Sequence, residues 1–369
     1  MNKKKIRVGI LFGGKSAEHE VSLQSARNVT DAIDKEKYEV VPIGIAKGGR
    51  WLLPNPTQFL SENNKFGIIV SEGSAEGVAL IPQSGGKLAT FSGDRAINSI
   101  DVIFPVLHGT FGEDGTVQGL LKLADIPFVG AGVLGSAVGM DKDVQKRLLR
   151  DAGIPVANFL VFREKHNPTD YQKIVAELGS PFFVKPANLG SSIGISKVYS
   201  EREFRNAVED AFQYDTKILA EQFIKGREIE CAVLGNDDPQ ASVPGEIIPH
   251  RDFYSYEAKY IDEDGAGLEV PAKISEDTAK KIQNMAIAVF KILSCEGMGR
   301  VDFFLKEDGD VVVNEINTIP GFTSISMYPR LWQASGMPYS ELIDRLIQLA
   351  IERFEREQKL KTSYTNLKR

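Results

Sequence analysis

Basic charge, cysteine and long apolar runs are all scarce in this sequence, and each shortage excludes a class of protein. The 369 residues carry 44 Lys and Arg against 50 Asp and Glu, and no basic block extends beyond Lys3 to Lys5. The electrostatic signature of a nucleic-acid-binding protein is therefore missing. The uncharged stretch from Ile126 to Met140 is shorter than the roughly 20 residues that cross a bilayer, so no membrane partner is expected.

The two cysteines, Cys231 and Cys295, lie far apart, in neither a metal-binding nor a redox spacing. The apolar run that follows the N-terminal lysines is interrupted by Arg7 and soon ended by Gly13 and Gly14, which does not suit a signal peptide. These features predict a cytoplasmic protein. The composition, 42% hydrophobic and 25% charged, is that of a folded chain. At roughly 100 to 200 residues per domain, the length predicts two or three domains.

The first part of the chain alternates strand and helix patterns. A strand is predicted from Ile6 to Phe12, a helix from about Glu20 to Ile33 and a strand from Tyr38 to Ala46, an order typical of a parallel α/β sheet. The Gly-, Ser- and Asn-rich stretch from Lys47 to Asn98 is interpreted as an elaboration of the sheet edge. A buried strand from Asp101 to Leu107 follows it.

The middle of the chain has a different pattern. Strands at Pro181–Pro186 and Ile193–Tyr199 are joined by a loop too short for a helical crossover, so they form a hairpin. A capping box at Ser200–Glu203 begins a helix, and a strand from Lys217 to Ile224 follows, which predicts a small α+β domain. Further predicted elements are helices at Val117–Ala124, Asp141–Asp151, Pro168–Leu178, Glu276–Leu293 and Ser340–Phe354, and strands at Pro127–Val129, Arg227–Leu234 and Val301–Ile316.

Two familiar motifs are matched in the wrong structural context. Residues Gly9 to Ser16 fit the G-x-x-x-x-G-K-[ST] pattern of a P-loop, but Ile10 to Phe12 continue a strand, which favours a Gly-Gly turn that approaches a ligand. Residues Gly190 to Gly194 fit the G-x-S-x-G nucleophile elbow, but a strand follows where a helix is required. This loop is either a flexible flap that closes over phosphates or an ordinary polar turn.

Two β runs surround Asp308-Gly309, which is a strong signal for a two-residue hairpin turn. With that turn as centre, Asp302 faces Glu315 and Arg300 faces Asn317, all on one face. Facing carboxylates repel unless a cation lies between them, and an oxygen-only set of Asp302, Glu315 and Asn317 suits Mg²⁺ or Mn²⁺. Such a site usually also binds substrate phosphates; the alternative is a solvated acidic hairpin end.

Other polar residues are placed where a nucleotide could bind. Lys185 lies inside an apolar run and, with Lys142, needs an anion such as a phosphate. Glu221 and Glu228 flank the joint between the middle and last pieces, where they could accept from adenine or ribose, or be solvated. His108 directly follows a parallel strand, at the sheet edge where α/β proteins bind ligands, although a structural loop is the alternative.

Taken together, these segments resemble the ATP-grasp ligases and, within them, the D-alanine:D-alanine ligase family of bacterial cell-wall synthesis. The similarity runs in family order from residue 6 to about residue 347. The matching stretches are Gly13–Gly14 with Ser16–Glu18 and Glu20–Ser22, His108–Gly109 with Gly112–Gly115, Asp141–Lys142, Val184–Pro186, Gly190–Ser192, Tyr256–Tyr260, Gly299–Asp302, Glu315–Thr318 and Pro320–Ser324.

The resemblance implies a three-domain ATP-grasp architecture with a Rossmann-like N-terminal α/β domain over residues 1–139, a central α+β subdomain over 140–225 and a C-terminal subdomain over 226–369. The implied substrates are ATP and two molecules of D-alanine, with two Mg²⁺ or Mn²⁺ ions as cofactors. A homodimer is also implied. The implied ATP-binding residues are Lys142, Lys185, Gly190, Ser191, Ser192, Glu221, Glu228 and Lys259, and the implied metal ligands are Asp302, Glu315 and Asn317.

The implied reaction is phosphorylation of one D-alanine carboxylate by ATP, followed by attack of a second D-alanine amine. Glu18 would orient the first D-alanine, and Arg300 with the Gly321 N–H would stabilise the oxyanion. Tyr260, on a lid over about His250–Gly267, would meet Ser191 to exclude water. The remaining implied substrate-binding residues are His108, Lys259, Ser324 and Ser326.

The lid tyrosine also bears on the second substrate. Similar ligases that join D-alanine to D-lactate lack it, so Tyr260 favours the dipeptide over a D-alanine:D-lactate or other D-alanine:X product. A non-catalytic ATP-binding regulator would be expected to have a broken metal or oxyanion set, and that set is complete here. Ile319 lies in the substrate loop without an assigned role.

Overall fold

The structure is a computed structural model that describes residues 4–54, 76–92, 96–97, 99–163, 170–249 and 266–361. Its first sheet contains the parallel neighbours predicted from the sequence, and the strand next to one edge pairs in parallel with both of its neighbours. In chain order the strands of this sheet are β1 (Ile6–Gly13), β2 (Tyr38–Ile45), β3 (Trp51–Leu53), β4 (Glu76–Leu80), β5 (Leu88–Thr90), β6 (Ala96–Ile97) and β7 (Val102–Pro105). The order across the sheet is β6-β5-β4-β3-β2-β1-β7.

The elaboration between residues 47 and 98 extends this sheet, as predicted. Strands β3 to β6 add to its edge by antiparallel pairing. Helix α1 (His19–Ala32) follows β1, and α2 (Thr116–Leu123) and α3 (Val133–Met140) follow β7. The predicted strand Pro127–Val129 is reduced to an isolated parallel bridge between Ile103 and Phe128. The P-loop alternative is excluded, because Gly9 to Phe12 lie within β1.

The second sheet is antiparallel and has the strand order β10-β9-β11-β8. Its elements are α4 (Lys142–Asp151), β8 (Phe159–Phe162), α5 (Tyr171–Leu178), β9 (Phe182–Pro186), β10 (Ser196–Val198), α6 (Glu201–Ala211) and β11 (Ile218–Gln222). The predicted hairpin is confirmed by the pairing of Ser196 with Val184. The capping box is confirmed too, with Ser200 and Glu203 each accepting from the other's backbone N–H.

The third sheet has the order β15-β14-β12-β16-β17, with one further strand paired to β12. Its elements are β12 (Arg227–Gly235), β13 (Gln240–Ala241), β14 (Gly245–Pro249), β15 (Ala266–Glu269), α7 (Glu276–Ile292), β16 (Gly297–Leu305), β17 (Val311–Asn317), α8 (Met327–Ala334) and α9 (Tyr339–Gln358). The three sheets follow one another along the chain.

In the hairpin between β16 and β17, Asp302 pairs with Glu315 and Arg300 with Asn317, as predicted, but the turn differs from the prediction. Lys306 N donates to Asp310 O and Gly309 N donates to Lys306 O, so the turn contains three residues and ends in Gly309 at φ +84°. A two-residue turn at Asp308-Gly309 is therefore wrong. A β-bulge between Asp302 and Phe303 shifts the register by one residue, which restores the pairing of Asp302 with Glu315.

Helix α9 completes the core of the first sheet. Leu342, Ile343 and Leu346 are fully buried in one hydrophobic cluster with residues of β1, α1 and β7. Tyr38 Oη at the start of β2 donates to Asp344 Oδ1 at 2.8 Å. The packing of the first sheet therefore depends on the last helix that the structure describes.

Candidate functional site

A cavity of about 260 Å³ lies between the second and third sheets. It collects charged and polar residues that the sequence separates by more than 170 positions, together with the apolar side chains Phe183, Ile195, Phe223 and Phe304. Those predicted to bind nucleotide or metal are Lys142, Lys185, Gly190, Ser191, Ser192, Glu221, Glu228 and Glu315. An apolar slot with acids and bases at defined positions suits a nucleotide, whose base is flat and whose phosphates are charged.

The first residue of helix α4, Lys142, lines this cavity. The N-cap of the helix, Asp141, accepts from Asp143 N and Val144 N, which fixes the start of the helix. Lys142 Nζ lies 3.1 Å from Glu315 Oε2 and donates to Leu189 O at 2.8 Å. One turn later, Lys146 lies on the same helix face. It is buried and contacts Glu221 and Asn314, which line the cavity.

Lys185, Glu221 and Lys146 form a buried charge cluster. Lys185 Nζ donates to Glu221 Oε1 at 2.6 Å, and Lys146 Nζ lies 2.8 Å from Glu221 Oε2. Burial lowers the pKa of Lys185 against the attraction of Glu221, and the lysine charges nearby lower it further. Burial acts to raise the pKa of Glu221, but the charges of Lys146 and Lys185 outweigh it and hold the pKa below its usual value. Glu221 therefore stays ionised, with both oxygens held in place.

The loop between β9 and β10 has a strained backbone. Ser191 and Ser192 have φ of 53° and 60°, in the left-handed region that residues with a Cβ seldom adopt. The loop is anchored at its start by Asn188 N, which donates to Asp215 Oδ2 at 2.8 Å. At its tip, Ser191 Oγ donates to Glu18 Oε1. Such outliers persist where the surroundings impose them, which favours the flap over an ordinary turn.

The oxygen ligands predicted for a metal lie together at the base of the hairpin. Asp302 pairs with Glu315 across the two strands, and Asn317 Nδ2 donates to Asp302 Oδ2 at 2.9 Å. In the described part of the chain no three Asp, Glu, His or Cys side chains form a preformed cluster. Two carboxylates and one amide, with the side chains of Lys142 and Arg300 beside them, fit a Mg²⁺ site whose remaining ligands are nucleotide phosphates.

Arg300 lies between two carboxylates on neighbouring strands. Its Nε is 2.7 Å from Asp302 Oδ1 and 2.8 Å from Glu230 Oε2. Its second nitrogen, Nη2, donates to Asp302 Oδ2 at 2.8 Å. Glu230 pairs with Asp302 across β12 and β16, and only 5% of it is exposed. The guanidinium is therefore oriented from both sides.

The loop after β17 is tied to the end of the first sheet. His108 Nδ1 lies 3.0 Å from Ile319 O, and Glu113 Oε1 accepts from Ile319 N at 3.0 Å. Burial lowers the pKa of His108. Burial, with the nearby charge of Glu18, raises the pKa of Glu113 to about 8. Ile319, which had no role in the sequence analysis, thus anchors this loop through its backbone.

The same loop carries the remaining substrate residues predicted from the sequence. A Cβ on Gly321 would lie 2.7 Å from Ser326 Oγ, so the Ser326 hydroxyl would have to move to make room for it. Ser326 Oγ accepts from Thr323 N at 2.9 Å, which closes the loop on itself, and Ser324 is exposed at the surface. Lys259 and Tyr260 lie outside the described residues.

Three residues that contact the candidate site residues were not predicted from the sequence. Lys146, Glu230 and Glu113 make the contacts described above, yet none belongs to a motif that assigns it a role. Of the three, Lys146 was the easiest to predict, because it follows Lys142 by one helical turn within a predicted helix. Glu230 and Glu113 depend on contacts between distant segments.

Family profiles for the D-ala D-ala ligase N-terminus and C-terminus match residues 7–131 and 148–348. The D-alanine--D-alanine ligase of Oceanobacillus iheyensis is 54% identical over 361 residues, 97% of this chain and 99% of that protein. D-alanine--D-alanine ligase A of Escherichia coli strain K12 is 53% identical with the same coverage. In the described residues no helix has the length and hydrophobicity that a membrane span requires.

Solved structures agree with these sequence matches. The D-alanine-D-alanine ligase of Coxiella burnetii has a TM-score of 0.86 at 43% identity, over 97% of both chains. The VanG D-Ala:D-Ser ligase of Enterococcus faecalis has a TM-score of 0.83 at 38% identity, over 94% of this chain and 100% of that one. The fold and cleft therefore define an enzyme of the ATP-grasp ligase class. Within that class, the chain belongs to the D-alanine–D-alanine ligase family.

Proposed function

We propose that this enzyme joins two D-alanine molecules into D-alanyl-D-alanine, with release of ADP and phosphate, for peptidoglycan synthesis. The observation that carries the proposal is a cleft lined by the predicted nucleotide-binding lysines and glutamates, by the Ser191 loop and by Glu315, which pairs with Asp302 across the hairpin. The names of the relatives support the same reaction.

ATP is proposed to lie in the cavity between the second and third sheets. Lys142 and Lys185 would neutralise phosphate charge, and Gly190 to Ser192 would cover the phosphates. Glu221 and Glu228 would accept from the adenine and ribose, and Lys259 would reach the transferred phosphate. The apolar side chains Phe183 and Phe304 line the cavity and would flank the base.

Asp302, Glu315 and Asn317 would hold two Mg²⁺ or Mn²⁺ ions. When bound, the ions supply positive charge that offsets the charge on the nucleotide phosphates. Lys142, 3.1 Å from Glu315, fixes the direction of that carboxylate. Arg300 and Asn317 fix Asp302 in the same way.

The first D-alanine is proposed to bind where Glu18 meets the Ser191 loop. Glu18 would hold its ammonium group, and His108 would support the substrate loop through Ile319. After the carboxylate takes the γ-phosphoryl group, the amine of the second D-alanine attacks the acyl phosphate. Arg300 and the Gly321 N–H would then stabilise the negative oxygen of the tetrahedral intermediate.

The second D-alanine is proposed to bind through its carboxylate to Ser324 and Ser326, in the loop that precedes α8. Tyr260, together with Ser191, would close the site and keep water from the acyl phosphate. The catalytic set proposed here is thus Glu18, Ser191, Tyr260, Arg300 and Gly321.

The second substrate has a specific alternative. The VanG protein, whose name states D-Ala:D-Ser ligation, has a TM-score of 0.83 with this chain. The shared fold therefore accommodates more than one acceptor. Tyr260 supports D-alanine over D-lactate, because similar D-lactate ligases lack this tyrosine.

A cytoplasmic location, a homodimer and domain boundaries after residues 139 and 225 complete the proposal. The proposed cytoplasmic location rests on the two cysteines, which lie in neither a metal-binding nor a redox spacing. The first boundary falls within the last turn of α3, and the second between β11 and β12. Gel filtration with light scattering would measure the oligomeric state directly.

The test is ADP release with Mg²⁺-ATP and D-alanine alone, then with D-serine or D-lactate added and the products separated. Turnover with D-alanine alone that yields the dipeptide is the expected result. A mixed D-alanyl-D-serine or ester product formed in preference to the dipeptide would assign the enzyme to D-alanine:X ligation. Nucleotide binding without turnover of any of these acceptors would contradict ligation of D-alanine.

A further inference from the structure

Lys146 is completely buried, and its ammonium group makes polar contacts with two residues that line the proposed nucleotide cavity. None of its surface is exposed. Its ammonium lies 2.8 Å from Glu221 Oε2 and donates to Asn314 O at 3.2 Å. A buried charge is costly unless it is paired, so these contacts determine where the ammonium lies. No step of the proposed reaction uses Lys146.

Asn314 is the residue that forms the β-bulge. Asp302 pairs with Glu315 and Phe303 pairs with Val313, which leaves Asn314 as the extra residue of β17. The bulge sets the register, and a slip of one residue would turn Glu315 to the other face of the sheet. The position of Glu315 therefore depends on how firmly the bulge is held.

The bulge is held from the side of α4. Lys146 Nζ binds the Asn314 carbonyl, and the neighbouring Gln145 Oε1 accepts from Ile316 N at 3.4 Å. On the other side of the bulge, Val313 N donates to Pro155 O at 2.9 Å. Of these supports, only Lys146 also contacts a residue proposed to face the nucleotide, namely Glu221.

We propose that Lys146 is a positioning residue that couples nucleotide affinity to divalent-cation affinity. One ammonium group holds Glu221 towards the nucleotide and holds the bulge that directs Glu315 towards the cation. The proposal rests on the proposed function, because it requires nucleotide in the cavity and a cation at Glu315. Loss of Lys146 weakens both affinities, although Lys146 touches neither ligand.

The experiment measures the two affinities separately in Lys146→Met, which shortens the unbranched side chain by one atom and removes its charge. Mn²⁺ binding to the nucleotide-free enzyme is followed by electron paramagnetic resonance, and metal-free ADP binding by calorimetry. Both dissociation constants are expected to rise by about 10-fold, the lower end of the effect of residues that support metal ligands. With both ligands saturating, kcat is expected to fall less than either affinity.

Lys217→Met is the matched control. Lys217 is also buried, at 7% exposure, and is paired with Asp141 and Asp143 near the start of the same helix. Its loss is expected to lower the melting temperature while both dissociation constants stay as in the native enzyme. Lys146→Arg, which keeps the charge, is expected to recover part of the lost affinity.

Native affinities in Lys146→Met would overturn the proposal, and so would the loss of only one of them. If that variant does not fold, Glu221→Gln tests the proposal instead, because it removes the negative charge that pairs with the Lys146 ammonium. Mn²⁺ affinity is then expected to fall further in Glu221→Gln than in Glu228→Gln, which removes a charge from the same cavity. Equal effects would contradict coupling through Lys146. A native enzyme that binds neither metal-free ADP nor Mn²⁺-ADP would instead refute the proposed function.

Discussion

Ser191 Oγ donates a hydrogen bond to Glu18 Oε1 across a sequence separation of 173 residues. Glu18 directly precedes α1 of the first sheet, and Ser191 is at the tip of the loop between β9 and β10 of the second sheet. The bond therefore joins the proposed site of the first D-alanine to the proposed cover of the ATP phosphates. It holds the loop closed at the boundary between the two sheets.

Ser191→Ala removes this bond while the backbone of the loop remains. We expect kcat to fall roughly 10- to 100-fold, the equivalent of a hydrogen bond to a charged group. Because a loosened loop admits water, the ratio of phosphate to dipeptide should rise as well. Parallel assays of phosphate and dipeptide measure this ratio. Ser192→Ala is the control, and an equal effect in both variants would contradict a specific role for the Glu18 contact.

Glu315→Gln keeps the shape of the side chain but removes charge from the proposed cation site. We expect activity to be lost, and Mn²⁺ binding to weaken at least 10-fold, with an unchanged melting temperature. Electron paramagnetic resonance measures the binding without turnover. Glu307→Gln, an exposed carboxylate of the same hairpin that pairs with Lys225 3.0 Å away, should behave like the native enzyme. Metal-dependent activity in Glu315→Gln would refute the assignment of this ligand.

Glu230→Gln tests whether Arg300 depends on its second carboxylate. Without that charge, the guanidinium loses one of its two carboxylate contacts and should turn away from the oxyanion. Misplacement of a group by about 1 Å costs on the order of 100-fold in rate, so kcat should fall by up to this amount with a smaller change in KM for ATP. Steady-state kinetics at saturating Mg²⁺ separates the two constants.

Glu246→Gln is the matched control for Glu230→Gln. Glu246 is also buried, and it pairs with Arg227 by contacts that include one of 2.7 Å from Arg227 Nε. This pair is outside the residues that line the proposed nucleotide cavity. We expect an unchanged kcat for Glu246→Gln. If both variants lose activity equally, the effect is one of general stability.

The raised pKa of Glu113 predicts a dependence of stability on pH. Its pKa rises from an ordinary value of 4.5 to about 8, chiefly through burial, with Glu18 adding to the rise. The folded state therefore binds the proton more tightly than the unfolded state. The contribution to the free energy of unfolding is full below about pH 4.5 and is lost as the pH rises to about 8.

Glu113→Gln should remove this dependence, because an amide does not titrate in that range. Urea unfolding at pH 5, 6, 7, 8 and 9 should give a stability curve for the variant that falls less with pH than the native curve. Identical slopes for the two proteins would contradict the assignment of the titration to Glu113.

The pairing of Asp302 with Glu315 at the proposed metal site was predictable because β-strand periodicity fixes which side chains share a face. The register of Asp302 and Glu315 was correct, yet it rested on two errors that cancel. The turn has three residues instead of two, and the bulge at Asn314 supplies the compensating shift. A bulge depends on contacts from another segment, here Lys146, which a local pattern does not contain.

The parts of the fold that escaped prediction are those with weak local patterns. Helix α3 (Val133–Met140) contains two glycines and no charged residue, so its period is hard to recognise; it forms because it packs between neighbours. Strand β8 (Phe159–Phe162) is short and wholly apolar. Helix α6, in contrast, was predictable because the capping box at its start is formed by four consecutive residues, Ser200 to Glu203.

The position of α9 has a consequence for how the protein is made. Tyr38 in β2 and Asp344 in α9 are 306 residues apart, and their hydrogen bond joins elements that share one core. The ribosome releases the N-terminal strands first. The apolar face of the first sheet is covered by α9 only after nearly the whole chain has been made. During that interval the nascent chain exposes Val8, Ile10 and Val29, which are fully buried in the finished enzyme. Folding of the first sheet is thus completed only after synthesis has almost ended.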